Sequence, residues 1–351
     1  MTNINSDAQA ILLLTSHFKK PSKSDVEPLT VGEWGRFALR LKELDMQPGE
    51  LLSCNIDGLL KDWQDSKYSA VRIKALLERG TALALAVEKW QRIGIWILVR
   101  TDEEYPSRLK ERLKGLSPPV IYGCGKRKLL DNGGIAIVGS RNANENDLRF
   151  TKNLAEKIAN SARTVISGGA RGIDQAAMLG ALEIEGTVVG VLADSLSRAV
   201  LSQKYRTAIQ GKNLVLISPF YPDAGFNPGN AMARNKYIYC LSDGAIAIHS
   251  GTSGGTWSGA TENLRKGWVP LWVKRTDDRV AGNAQIVGKG GLWLPDDIVE
   301  SDLDQLLKPT ERKQQEEREA KELACVSPIM ETKPNYDAKP DDSSTILNQQ
   351  E

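Results

Sequence analysis

The sequence predicts an α/β protein: an extended Rossmann-like, doubly wound and mainly parallel sheet, preceded by a small helical domain. Three observations lead there. Six strand-like apolar runs recur between residues 134 and 274, and the segments between them are long enough for crossover helices. The runs are near-continuous rather than alternating, as expected of strands covered on both faces. Before them, residues 1–90 space their apolar side chains by three and four, the period of amphipathic helices.

The helical stretches are WGRFALRLKELDMQPGELL, DGLLKDWQ and SAVRIKALLERGTALALAVEKWQRIG, punctuated by Pro48, Gly49 and Gly58. From Ile93 the texture changes to IGIWILV, an amphipathic SRLKERLKGL and PPVIYGCG, which reads as strand, helix, strand. The regular alternation follows in GIAIVGS (134–140), TVISGG (164–169), TVVGVLA (187–193), NLVLIS (213–218), GAIAIHS (244–250) and WVPLWVK (268–274). Residues 91–307 are thus expected to form the Rossmann-like domain. Residues 308–351 mix charges without an apolar face and read as a charged, disordered tail.

Composition sets limits. With 41% hydrophobic and 26% charged residues, the chain can build a sizeable core. No apolar run approaches the roughly 20 residues of a membrane span, and the first residues carry no export signal, so a cytoplasmic location without membrane contact is expected. Cys54, Cys124, Cys240 and Cys325 are scattered and unpaired in spacing, and only His17 and His249 are available, so neither a disulfide framework nor a zinc site is expected. Between residues 135 and 275 there are 16 Lys and Arg against 10 Asp and Glu, a basic middle suited to a polyanion.

Glycines at strand-to-helix turns mark the candidate site. The first residues of a helix present unpaired N–H groups and a positive dipole end, and glycine lets a phosphate approach them. SGGARGID offers Ser167, Gly168, Gly169, Arg171, Gly172 and Asp174; GSRNAN offers Gly139, Ser140 and Arg141; SGTSGGTW offers Ser253, Gly254 and Thr256. The plainer roles remain open: glycines that permit tight turns and close packing, arginines in ion pairs, and Asp174 as an anchor of its helix start. In FNPGNAMARNKYIYCLSDG, the residues Arg234, Asn235 and Lys236 precede a helix-like segment, with Phe220, Tyr221 and Phe226 upstream. Aromatics among cations suit single-stranded nucleic acid, although Phe226 could equally pack in a core.

Other phosphate motifs fail. The first turn lacks GxGxxG and no acidic residue ends the next strand, which disfavours a dinucleotide cofactor. GNAQIVGKG (282–290) is one residue too long for a P-loop and has Gly290 in place of its Ser or Thr. No cofactor is therefore expected.

These motifs resemble the DprA/Smf family of DNA-processing proteins. YPSRLKERLKGLSPPVIYGCG is similar to the family's lead-in, AIVGSR and SGGARGIDQAAMLGAL to its central motifs, RNKYIYCLSDG to its RNR segment and SGTSGGTW to its Ser/Gly-rich turn. Met178 departs from the family's usual His, Gly169 from its Leu or Met, and no C-terminal winged helix is legible. The resemblance implies a single-stranded DNA binder, a homodimer, and delivery of the strand to a RecA-type recombinase during transformation or recombination. It also implies a sterile-alpha-motif-like fold for residues 1–90. The alternative is a nucleotide hydrolase of the phosphoribohydrolase type with Glu262 as its carboxylate, but GTSGGTWSGATE lacks those enzymes' proline and spacing.

Overall fold

The computed structural model describes residues 4–60, 69–298 and 303, all within one compact unit. The charged segment 308–351 and Cys325 lie outside the described residues.

Five helices come first: α1 (Ser6–Thr15), α2 (Val31–Glu43), α3 (Ile56–Leu60), α4 (Ala70–Leu77) and α5 (Gly80–Arg92). Local signals explain their starts. The Asn5 side chain caps α1, and Thr30 and Glu33 form a reciprocal capping box on α2. The run AILLL becomes the buried centre of α1.

Then follow β1 (Trp96–Val99), α6 (Ser107–Leu113), β2 (Val120–Gly125), β3 (Ile135–Val138), α7 (Glu145–Asn160), β4 (Val165–Ser167), α8 (Ile173–Glu183) and β5 (Val188–Val191). The chain continues through α9 (Leu196–Leu201), α10 (Gln203–Gln210), β6 (Leu214–Ser218), α11 (Pro228–Leu241), β7 (Gly244–Ala247), α12 (Gly254–Lys266), β8 (Leu271–Val273), α13 (Asn283–Gly288) and β9 (Leu292–Trp293). Among the described residues the strands form one nine-stranded sheet in the order β1-β2-β6-β5-β4-β3-β7-β8-β9. All pairings are parallel except β1 with β2 and β2 with β6. The sheet is therefore the doubly wound, mainly parallel one that the apolar runs predict.

Alternate strand residues feed two cores. Ile135 and Ile137 of β3 join Leu154, Ile158, Ala177 and Met178 on one face. Ala136 and Val138 join Ile238, Ala245, Ala247 and Ala260 on the other. This period-two division explains why the runs are apolar throughout. The N-terminal helices share the first core: the Trp90 and Tyr122 rings meet edge-on at 5.1 Å, and the Tyr122 hydroxyl donates to Ser16 Oγ at 2.7 Å.

One local reading is corrected. Arg234, Asn235 and Lys236 do not precede a helix but lie in the middle of α11. The helix starts earlier because Asn227 accepts from the N–H groups of Gly229 and Asn230, and Pro228 fits the first helical turn.

Candidate nucleic-acid interface

Strand order reverses between β3 and β7. From β3 the chain proceeds to β4, β5 and β6 on one side, while β7, β8 and β9 lie on the other. Loops leaving such a point diverge and open a crevice beyond the strand carboxyl ends. A cavity of about 450 Å³ occupies it, within the range typical of ligand sites.

The loop after β3 contributes Gly139, Ser140 and Arg141, the loop after β4 contributes Ala170, and the first turn of α8 contributes Asp174. Phe226, Arg234, Asn235 and Tyr239 enter from α11 and the segment before it, and Gly251 and Ser253 to Thr256 from the start of α12. That start is electrostatically open. Ser253 makes no side-chain cap, and Gly254 has φ +89 with empty space where a Cβ would stand. The first-turn N–H groups of α12 therefore face the cavity without a side-chain acceptor. At the rim the Arg141 guanidinium lies 4.7 Å from the Phe226 ring centroid, and Phe226 remains 55% exposed. An uncapped helix start, an aromatic face and a fixed positive charge are thereby brought within one crevice.

In the cavity wall the buried charged side chains are committed to backbone groups. Arg234 is 3% exposed and donates to the carbonyls of Gly168 and Val191. Asp174 is 6% exposed and accepts from the N–H groups of Gly139 and Ala170. Burial raises the Asp174 pKa, against the lowering influence of Arg234, the two N–H groups and Arg141. Burial likewise lowers that of Arg234, with Asp174 acting in the opposite sense. Asn235 donates from Nδ2 to the Gly255 carbonyl at 2.8 Å, tying α11 to the first turn of α12.

Of the residues singled out by sequence, Gly139, Ser140, Arg141, Asp174, Phe226, Arg234, Asn235, Ser253, Gly254 and Thr256 line the cavity. Ser167, Gly168, Gly169, Arg171, Gly172 and Lys236 do not. Each has another partner. Ser167 is fully buried, with its hydroxyl on the Ile137 carbonyl at 2.7 Å. A Cβ on Gly168 would strike Arg234 and Asp174, and one on Gly172, at φ +88, would meet the Ser140 carbonyl oxygen at 2.5 Å. Gly169 faces Leu192 and Met178, and Met178 is itself fully buried. Exposed Arg171 reaches Asn142 Oδ1 at 3.2 Å. Lys236 stands over the Tyr237 ring at 5.1 Å, with Glu262 nearby.

Sequence reasoning missed Tyr239 and Asn142. Tyr239 follows Asn235 by four residues, one helical turn, so its face was legible once α11 was placed. Asn142 carried no signal.

The family model for DNA recombination-mediator protein A matches residues 96–301. The chain belongs to that family. As a member it is 25% identical over 213 residues to DNA processing protein DprA of Bacillus subtilis, covering 59% of this chain and 71% of that one. It is 29% identical over 170 residues to Protein Smf of Synechocystis, covering 47% of this chain and 42% of that one. Among solved structures, DNA processing protein A of Streptococcus pneumoniae shares the fold at TM-score 0.60 and 17% identity, covering 76% of this chain and 95% of that one. DNA processing protein A of Helicobacter pylori, whose structure concerns a single-stranded DNA binding mode, matches at TM-score 0.51 and 25% identity. That match covers 59% of this chain and 93% of the other. No helix among the described residues is long and apolar enough to cross a membrane.

Proposed function

We propose that this family member binds single-stranded DNA in the crevice between β3 and β7, as a binding protein rather than an enzyme. The observation that carries the reading is the open N-terminus of α12 facing the Arg141–Phe226 pair across one cavity. Helix-start N–H groups and Arg141 suit phosphates, and the exposed Phe226 face suits a base. Arg171 and Lys236, placed outside the cavity, are at most contacts with flanking phosphates. No cofactor is required by this reading. Its cellular setting is proposed from family membership: a cytoplasmic homodimer that passes the strand to a RecA-type recombinase in recombination or DNA uptake.

The hydrolase alternative is weakened by geometry. Glu262 does not line the cavity; it borders a separate depression with Trp257, Thr261, Arg265 and Lys289. The carboxylate that lines the cavity, Asp174, accepts from the backbone N–H groups of Gly139 and Ala170.

Binding of labelled single-stranded and duplex DNA at two salt concentrations, with a nucleotide-hydrolysis assay on the same preparation, tests the reading. Preference for the single strand with affinity falling as salt rises is expected. Equal affinity for both forms, or nucleotide turnover, would overturn it.

A further inference from the structure

The segment GNAQIVGKG, which fails as a P-loop, has another use in the fold: its first two residues stand at the start of α13 and hold the turn between β7 and α12. Asn283 is 1% exposed, and its side-chain amide pairs with backbone groups. It accepts from the Ser250 N–H at 2.9 Å and donates to the carbonyls of Ile248 at 2.9 Å and Lys274 at 2.8 Å, so one side chain joins the ends of β7 and β8. Beside it the Gly282 N–H donates to the Ser250 carbonyl at 2.7 Å. Gly282 has φ −80, an ordinary value for any residue, so glycine is needed there for closeness alone. A Cβ would collide with the Gly251 carbonyl oxygen and stand 3.0 Å from the Trp257 ring.

Ser250 is thus held through both its N–H and its carbonyl, and the residues after it, Gly251 and Ser253 to Thr256, line the cavity and open α12. Resting on the single-strand reading above, we infer that Gly282 and Asn283 are positioning residues for the phosphate site: they set the β7–α12 turn so that the first-turn N–H groups of α12 meet a phosphate of the bound strand. Neither residue lines the cavity, so their influence on binding passes through the turn. Ser253 makes no side-chain cap and the space beside Gly254 is open, which leaves the aim of those N–H groups to the place where Ser250 and Gly251 are fixed. Hydrogen bonds weaken steeply with misalignment, and the attraction of a helix end fades within its first turn, so a small rotation there is costly. Arg141 stands on a different loop, tied to the start of α8 by the Ile173 N–H on the Ser140 carbonyl at 3.3 Å and to Arg171 through Asn142.

Double-mutant cycles in the full-length chain test the assignment. Asn283→Ala and Gly282→Ala are each combined with Gly254→Ala, which blocks the start of α12, and with Arg141→Ala, which removes the charge at the rim. Affinity for a fluorescein-labelled oligothymidylate is measured below the melting temperature of each protein. Either substitution alone is expected to weaken binding about tenfold, with the same loss in the Arg141→Ala background and almost none in the Gly254→Ala background, where the site is already blocked. Gly282→Ala, which removes no hydrogen-bonding group, carries the comparison if Asn283→Ala, which takes a partner from three backbone groups, does not fold. Normal affinity of the folded variants overturns the inference whatever their melting temperatures. Equal losses in both backgrounds, the mark of a general loosening of the crevice, overturn it as well, as does a Gly254→Ala protein that binds like the wild type. Failure of the wild type itself to bind the oligonucleotide overturns the single-strand reading instead and is distinguished by the unmutated control.

Discussion

Arg234 donates to the carbonyl of Gly168, and a Cβ at Gly168 would collide with its guanidinium. A side chain that sequence suggests as a phosphate contact is thus the pin joining α11 to the ends of β4 and β5. With Asp174 beside it, Arg234 forms the foundation on which the cavity rests.

Removing that pin should be a stability event. Arg234→Ala removes a donor from the carbonyls of Gly168 and Val191 and leaves Asp174 without its nearby positive charge. A loss of about 3 kcal/mol or more is expected, since breaking one side of a buried charge arrangement strands the other. Chemical denaturation measures it. A fully stable variant with reduced DNA affinity would instead make Arg234 a direct ligand contact.

Arg141 should behave in the opposite way. It is exposed at the cavity rim beside Phe226 and has no structural carbonyl to hold. Arg141→Ala should leave melting nearly unchanged, weaken binding about equally across base sequences, and reduce the salt slope by about one released counterion. Arg171→Ala, outside the cavity and held to Asn142, should weaken binding less than Arg141→Ala does. Equal losses would place both turns against the strand.

Much of this was legible from sequence, for physical reasons. Buried parallel strands must be apolar on both faces, so the runs around Ile135, Val165, Val188, Leu214, Gly244 and Leu271 announced themselves. Turns at strand carboxyl ends are marked by glycine, which located the crevice. Glycine does not say what it makes room for, however: at 139, 168 and 172 the near neighbour is the protein, and at 254 it is open space. Charged residues read as surface by default, which hides Arg234.

Asp174 gives the stability a pH dependence whose sign follows from its raised pKa. Its folded pKa lies above the unfolded value, about 3.9, so between the two the native state holds the proton more tightly. Stability linked to that proton is complete below the unfolded pKa and is lost as pH rises through the folded one. Asp174→Asn cannot titrate. The wild type should therefore lose stability relative to Asp174→Asn as pH rises from about 4 toward neutrality, followed by urea denaturation at each pH. A difference that stays flat across this range would show that Asp174 is ionised throughout.

The last prediction separates glycines that serve packing from one that serves a ligand. Gly172 and Gly254 share positive φ values, +88 and +89, which L side chains rarely adopt, so alanine at either is strained. Their surroundings differ. At Gly172 a Cβ also meets the Ser140 carbonyl oxygen at 2.5 Å and the Arg141 carbonyl oxygen at 2.8 Å, forcing apart the two loops that carry the site. At Gly254 it meets nothing within 4 Å and projects where the α12 N-terminus opens to the cavity. Gly172→Ala should consequently be the more destabilising of the two. Gly254→Ala should lose only the strain energy in stability but a larger share of its DNA affinity, because the methyl group occupies the approach to the first-turn N–H groups. Melting and binding measured on both variants give the comparison. If Gly254→Ala binds the single strand as well as wild type while folded, the phosphate is not held at the start of α12, and the crevice must engage DNA through its rim alone.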